Sequence, residues 1–77
     1  PIEDEIYFGV ESSFEDRVNI SLLTTNGAVI YRASRELEEG ENEYSIDATT
    51  LPKGVYFLDV LTLNKRKRMA VQVVKVE

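Results

Sequence analysis

Apolar side chains recur at every second position along this chain, in six short runs that turn signals interrupt every 8 to 14 residues. Period two is the period of a strand with one face buried, and no run is long enough or correctly spaced for a packed helix. The alternation predicts strands over 5–11 (Ile6, Phe8 and Val10 on one face), 17–24 (Val18, Ile20, Leu22), 28–34, 43–48 (Tyr44, Ile46, Ala48), 55–62 (Tyr56, Leu58, Val60) and 68–76. Asn26-Gly27 sits between two apolar runs and signals a hairpin. "TTLPKG" (49–54) reads as a turn, with Pro52 fixing φ and Gly54 free to take positive φ. The segment "RELEEGENE" (35–43) has helix-favouring Glu and Leu, but Gly40 and Asn42 interrupt it after one turn, so it reads as a charged loop. Without long helices a parallel sheet has no crossovers. The expected fold is therefore all-β: a small immunoglobulin-like antiparallel β-sandwich of six to seven strands.

At 77 residues the chain supports one domain with one core, and the expected stability is modest. It contains no cysteine and no histidine, which removes disulfides, thiolate metal sites and the commonest general base. No cofactor is indicated. Catalysis would need a nucleophile and a base held together. The one carboxylate pair worth weighing is Asp47 with Asp59, and for each an ion pair with Lys or Arg is the ordinary role. Glu36, Glu38, Glu39, Glu41 and Glu43 do not match the spacing of an EF-hand loop and read as a solvated acidic segment. Asn19-Ile20-Ser21 has the form of a glycosylation sequon but lies inside an expected strand. No apolar stretch approaches the roughly 20 residues of a membrane-spanning helix, so no transmembrane segment is expected.

The net charge of −5 is unevenly spread. Residues 1–64 carry 13 acidic and 4 basic side chains, whereas residues 65–77 carry 5 basic and 1 acidic. An acidic body is a poor nucleic-acid binder, because phosphate affinity comes from Lys and Arg. Lys65, Arg66, Lys67 and Arg68 have two remaining readings. They guard an exposed hairpin against edge-to-edge pairing, or they form a recognition patch, together with Lys75, for an acidic protein surface or anionic lipid. Leu51, Pro52, Gly54 and Tyr56 are first of all structural: a core plug, a shaped turn and a buried ring whose hydroxyl finds a backbone acceptor; direct contact with a receptor is the other reading.

Several motifs stand in a telling order. They are an opening Pro1 to Ile6, "VNISLLTTNGAVIY" (18–31), the apolar strand of "NEYSIDATT", an L-P-x-G-x-Y-x-L-x-V element at Leu51, Pro52, Gly54, Tyr56, Leu58 and Val60, and a basic turn with a final strand, "NKRKRMAVQVVKVE". This order resembles the C-terminal sorting domain of the type IX (Por) secretion system of Bacteroidota, over essentially the whole chain. The resemblance implies a secretion signal rather than an enzyme. Such a domain is cut from a longer precursor, is recognised by the outer-membrane secretion machinery, and carries its cargo from the periplasm to the cell surface or medium. A surface sortase then removes it, at a site upstream of Pro1. The alternative is an extracellular immunoglobulin-like spacer, or an adhesion or carbohydrate-binding module. The absence of Trp and the core-like positions of most of the seven aromatics weaken its sugar-binding form. A free edge strand also makes an edge-strand dimer an expectation.

Overall fold

A computed structural model of the protein describes residues 4–76. It contains six strands: β1 (Glu5–Ser12), β2 (Asp16–Thr24), β3 (Val29–Leu37), β4 (Gly40–Asp47), β5 (Gly54–Thr62) and β6 (Arg68–Lys75). They form two antiparallel sheets, a four-stranded one in the order β3-β2-β5-β6 and a two-stranded one made of β1 and β4. The all-β sandwich expected from the alternation is what the chain adopts. The opening segment matched to the family's start lies largely outside the described residues.

The core forms where the alternating side chains of the two sheets meet. Ile6 and Val10 of β1, Val18, Ile20 and Leu22 of β2, Ile46 of β4, and Tyr56, Leu58 and Val60 of β5 are all buried. Register aligns them: Ile6 lies opposite Ile46, Ile20 opposite Val60, and Leu22 opposite Leu58. Phe8 and Tyr44, also cross-strand partners, pack their rings 5.6 Å apart against this core. A one-residue slip in any of these strands would turn its apolar set to solvent, so the alternation enforces the register.

The charged loop expected over 35–43 is not there. β3 runs on to Leu37 and β4 begins at Gly40, leaving only Glu38 and Glu39 between them. Three features produce this. Leu37 is buried and draws the end of β3 onto the core. Gly40 adopts φ +103°, a conformation other residues resist, and lets the chain reverse into the opposite sheet. The Asn42 side chain then ties the corner, accepting the Glu38 N–H at 2.9 Å and donating to the Glu38 carbonyl at 2.8 Å. Glu36, Glu41 and Glu43, which read as loop, are on the solvent-facing side of two strands, and Glu38 and Glu39 form the short corner between them.

The β2–β3 hairpin forms at Asn26-Gly27 as expected, with a wider closure than a two-residue turn. The Gly27 N–H donates to the Thr24 carbonyl at 3.0 Å and the Thr24 N–H to the Ala28 carbonyl at 2.9 Å. Thr25, Asn26 and Gly27 thus make a three-residue loop, and the register shifts between Leu22 and Leu23. Among the described residues no helix is long and apolar enough to cross a membrane.

Candidate functional site

The residues singled out in the sequence gather at the two ends of β5. Gly54, at one end, pairs with Lys75, and Tyr56 lies opposite Thr24, which places the Asn26-Gly27 loop at the same end. Lys65–Arg68 follow the other end, beyond Thr62. Eight residues of strand separate the ends, roughly 26 Å at about 3.3 Å per residue.

At the first end the L-P-x-G-x-Y element is a closed structural unit. The Tyr56 ring is buried and its hydroxyl donates to the Pro52 carbonyl at 2.5 Å. Leu51 packs partly against the core, and its N–H donates to the Ala48 carbonyl at 3.1 Å. Gly54 takes φ +151°, in a region closed to β-branched residues, and nothing lies within 4 Å of where a Cβ would stand. Backbone conformation, not space, is therefore the demand for glycine here. Asp47 accepts from the Thr49 N–H at 3.0 Å and the Thr49 hydroxyl at 2.8 Å, capping the turn. These bonds, the first from the backbone, hold its carboxyl below the usual value.

Lys75 belongs to this end and is not on an exposed patch. It is 3% exposed, and its ammonium donates to the Ala48 carbonyl, the same oxygen that receives Leu51. The last strand is thereby joined to the motif turn through one acceptor. Lys usually keeps its charge in water, so nothing in the local pattern announced this.

At the second end all four of Lys65, Arg66, Lys67 and Arg68 are exposed. The turn that carries them is firmly held. Thr62 is buried; its hydroxyl accepts the Lys67 N–H at 3.0 Å and its N–H donates to the Lys67 carbonyl at 2.9 Å. Asp16, at the start of β2, accepts backbone N–H groups from Arg17 (2.6 Å), Asn64 (3.0 Å) and Lys65 (3.4 Å). Desolvation is the largest single influence on Asp16 and raises its pKa, but the three N–H donors and the Lys65 charge together outweigh it and hold the carboxyl below its ordinary value. Lys65 lies 5.0 Å from the Phe14 ring centroid, a cation–π contact. Arg68 pairs with Asp59 at 3.3 Å. Arg66 stands at φ +58°, which a non-glycine residue adopts at some cost. Asp16 and Thr62 were not legible as holders of this turn; Asp16 and Asn64 are 48 residues apart, and only the tertiary fold joins them.

No catalytic constellation forms from the residues weighed for it. Asp47 is on the outward side of β4 and Asp59 on the outward side of β5, so the two carboxylates point away from each other across the sandwich. Among the described residues no group of three or more Asp or Glu is arranged to hold a metal ion. The outer face of the β1–β4 sheet is acidic: Glu5 lies opposite Asp47 and Glu11 opposite Glu41.

The geometry is that of a small folded body with a hydrogen-bonded cationic turn at one end and a tightly closed motif at the other. No curated protein and no solved structure matches the chain. A family model does, the secretion system C-terminal sorting domain, over residues 1–75. That span takes in the L-P-x-G-x-Y-x-L-x-V element, the basic turn and the whole of the last strand. The chain belongs to this family of sorting domains, and it is a C-terminal sorting signal for type IX secretion.

Proposed function

We propose that residues 1–77 act as one signal, the folded sandwich presenting a surface that is read by the secretion machinery, with the cationic turn Lys65–Arg68 as part of the surface that is read. Membership of the sorting-domain family carries interaction with that machinery and passage through the periplasm to the outer membrane or beyond. The family is one of signals rather than enzymes. In this reading the cargo precedes Pro1 in a longer precursor, crosses the outer membrane with the domain attached, and is released from it by a surface sortase acting upstream of Pro1.

The observation that carries the role of the turn is its construction. A charged turn that only kept an edge soluble would need no fixed shape. Here Asp16, Thr62, Phe14 and the Leu63 N–H to Arg17 carbonyl bond (2.9 Å) hold it in place, and Arg66 is kept at a positive φ. Fixed cations offer an anionic partner a pre-formed surface, which lowers the ordering cost of binding.

The test is a fluorescent reporter carrying a Sec signal peptide at its N-terminus and residues 1–77, behind a linker, at its C-terminus. It is expressed in a type IX-competent bacterium and in a strain lacking the machinery. Fluorescence at the surface or in the medium of the first strain only is expected. Reporter held in the periplasm of both strains, with the domain folded, would overturn the reading.

A further inference from the structure

The last strand has the composition of a central strand and the position of an edge strand. Among the described residues β6 pairs with β5 on one side and with nothing on the other. Its residues 69–74 read Met, Ala, Val, Gln, Val, Val, apolar on both faces. Met69 and Val71 face inward, opposite Val60 and Leu58, which are 3% and 4% exposed; yet Met69 is 39% and Val71 55% exposed. The cause is the unequal layering: two strands cannot cover four. The Tyr44 hydroxyl of β4 donates to the Glu36 carbonyl of β3 at 2.8 Å, so the small sheet leans toward β3 at this end and leaves Met69 and Val71 bare, whereas Val73 and Lys75 further along β6 are covered. On the outward face Phe57 and Val74 are also exposed.

The direction of the unpaired backbone groups follows from the register. Thr62 and Lys67 face each other, and the Thr62 N–H bonds to the Lys67 carbonyl. Hydrogen-bonded pairs alternate along an antiparallel ladder, so Met69, Val71, Val73 and Lys75 turn their peptide groups to β5. Arg68, Ala70, Gln72 and Val74 turn theirs to the open edge. The other edges are defended in ways this one is not. β1 and β4 carry Glu5, Glu11, Glu41, Glu43 and Asp47, while β3 carries Arg32, Arg35 and Glu36 and a register shift. Between Met69 and Val74 there is no charge, no proline and no bulge.

We propose that the open edge of β6 is a strand-docking site for an extended polypeptide segment, added antiparallel, with apolar residues at alternate positions and carboxylates at its C-terminal end. Charge selects this occupant. The N-terminal end of β6 is bordered by Lys65, Arg66, Lys67 and Arg68, and an antiparallel segment brings its C-terminal end there. A second copy is the poorer fit, since residues 68–76 contain no carboxylate to offer and carry cations of their own. Main-chain bonds to Ala70, Gln72 and Val74 give the docking its affinity, and the bare Met69 and Val71 side chains give it apolar cover. Assigning the segment to the secretion machinery rests on the sorting reading; the docking itself does not.

The probe is an acetylated, amidated peptide of alternating Val and Thr ending in three Glu, titrated into the isotope-labelled domain. A control peptide ends in three Lys. Amide exchange at Ala70, Gln72 and Val74 should slow at least tenfold, with Val71 and Val73 little changed. The Glu peptide should bind at least tenfold more tightly than the Lys peptide at low salt, and less so at high salt. Ala70→Pro removes an edge donor without touching the β5 ladder, and should abolish binding while the melting temperature stays near that of the parent. Unchanged exchange at the three edge amides, equal binding of the two peptides, or full binding by Ala70→Pro would overturn the proposal. So would a concentration-dependent dimer that protects the same amides without peptide. The amide pattern decides the matter in the unsubstituted protein even where Ala70→Pro fails to fold. In the reporter assay, retention of folded Ala70→Pro supports assignment to the machinery, and normal export overturns that assignment. Failure of the unsubstituted reporter to leave the periplasm would instead sink the sorting reading, whatever the peptide does.

Discussion

Lys75 gives the sharpest separation between a structural and a recognition role for the end of the chain. Its stem is buried and its ammonium is bonded to the Ala48 carbonyl. Lys75→Ala removes the three methylenes beyond Cβ, worth about 2.4 kcal/mol at about 0.8 kcal/mol each. The lost charged hydrogen bond adds to this, but the ammonium's desolvation cost offsets most of it. A loss of about 3 kcal/mol follows, or a fall in Tm of about 12 °C or more for a domain of this size. Lys75→Met keeps the apolar stem, and the Ala48 carbonyl still accepts the Leu51 N–H at 3.1 Å, so no acceptor is orphaned. That variant should lose no more than about 1 kcal/mol. Urea and thermal unfolding followed by circular dichroism measure both. An alanine variant within about 0.5 kcal/mol of the parent would refute the reasoning, because surface substitutions fall in that range and the side chain would then be solvated and free to meet a partner.

Three further outcomes are expected. Gly54→Val should destabilise the domain by at least about 1 kcal/mol, since a β-branched residue resists φ +151°, and an unchanged Tm would show that the turn is built differently. Asp16 has a folded pKa lowered from its ordinary 3.8, so its contribution is present above the unfolded value and is lost as pH falls through the lower folded value. The stability of the parent should therefore decline below about pH 4 more steeply than that of Asp16→Asn in acid titrations of unfolding. Glu41→Lys, which replaces a like-charge pair with Glu11 by an opposite one, should add about 0.2–1 kcal/mol at low salt and less at high salt, read from Tm against ionic strength.

What could be read from residue order was whatever depends on near neighbours. Alternation in "VNISLL" and "VYFLDV" identified β2 and β5 and their buried faces, because period two is a local property of the chain. The turn at Pro52 and Gly54 and the burial of Tyr56 followed from side-chain chemistry within six residues. The ends of β3 and β4 were hidden because Glu36, Glu38, Glu39, Glu41 and Glu43 mask a single anchoring residue, Leu37, and because Asn42 acts through its side chain. The pairing of β1 with β4 has no local signature, since it depends on which sheet each strand joins. The basic turn was visible as charge, but the groups that fix it, Asp16 and Phe14, come from the opposite end of the sequence. Lys75 went unread for the same reason: its partner at Ala48 is 27 residues away.

A folded surface with a fixed cationic turn is the centre of this account, and reversing that charge tests it most directly. The reporter fusion carrying Lys65→Glu, Arg66→Glu, Lys67→Glu and Arg68→Glu should remain folded, at a Tm a few degrees lower because a carboxylate at 68 faces Asp59 and one at 65 faces Asp16, and its export should fall at least tenfold. Export at the parental level by a folded, charge-reversed domain would contradict the account and leave those four residues with only the task of keeping an edge apart.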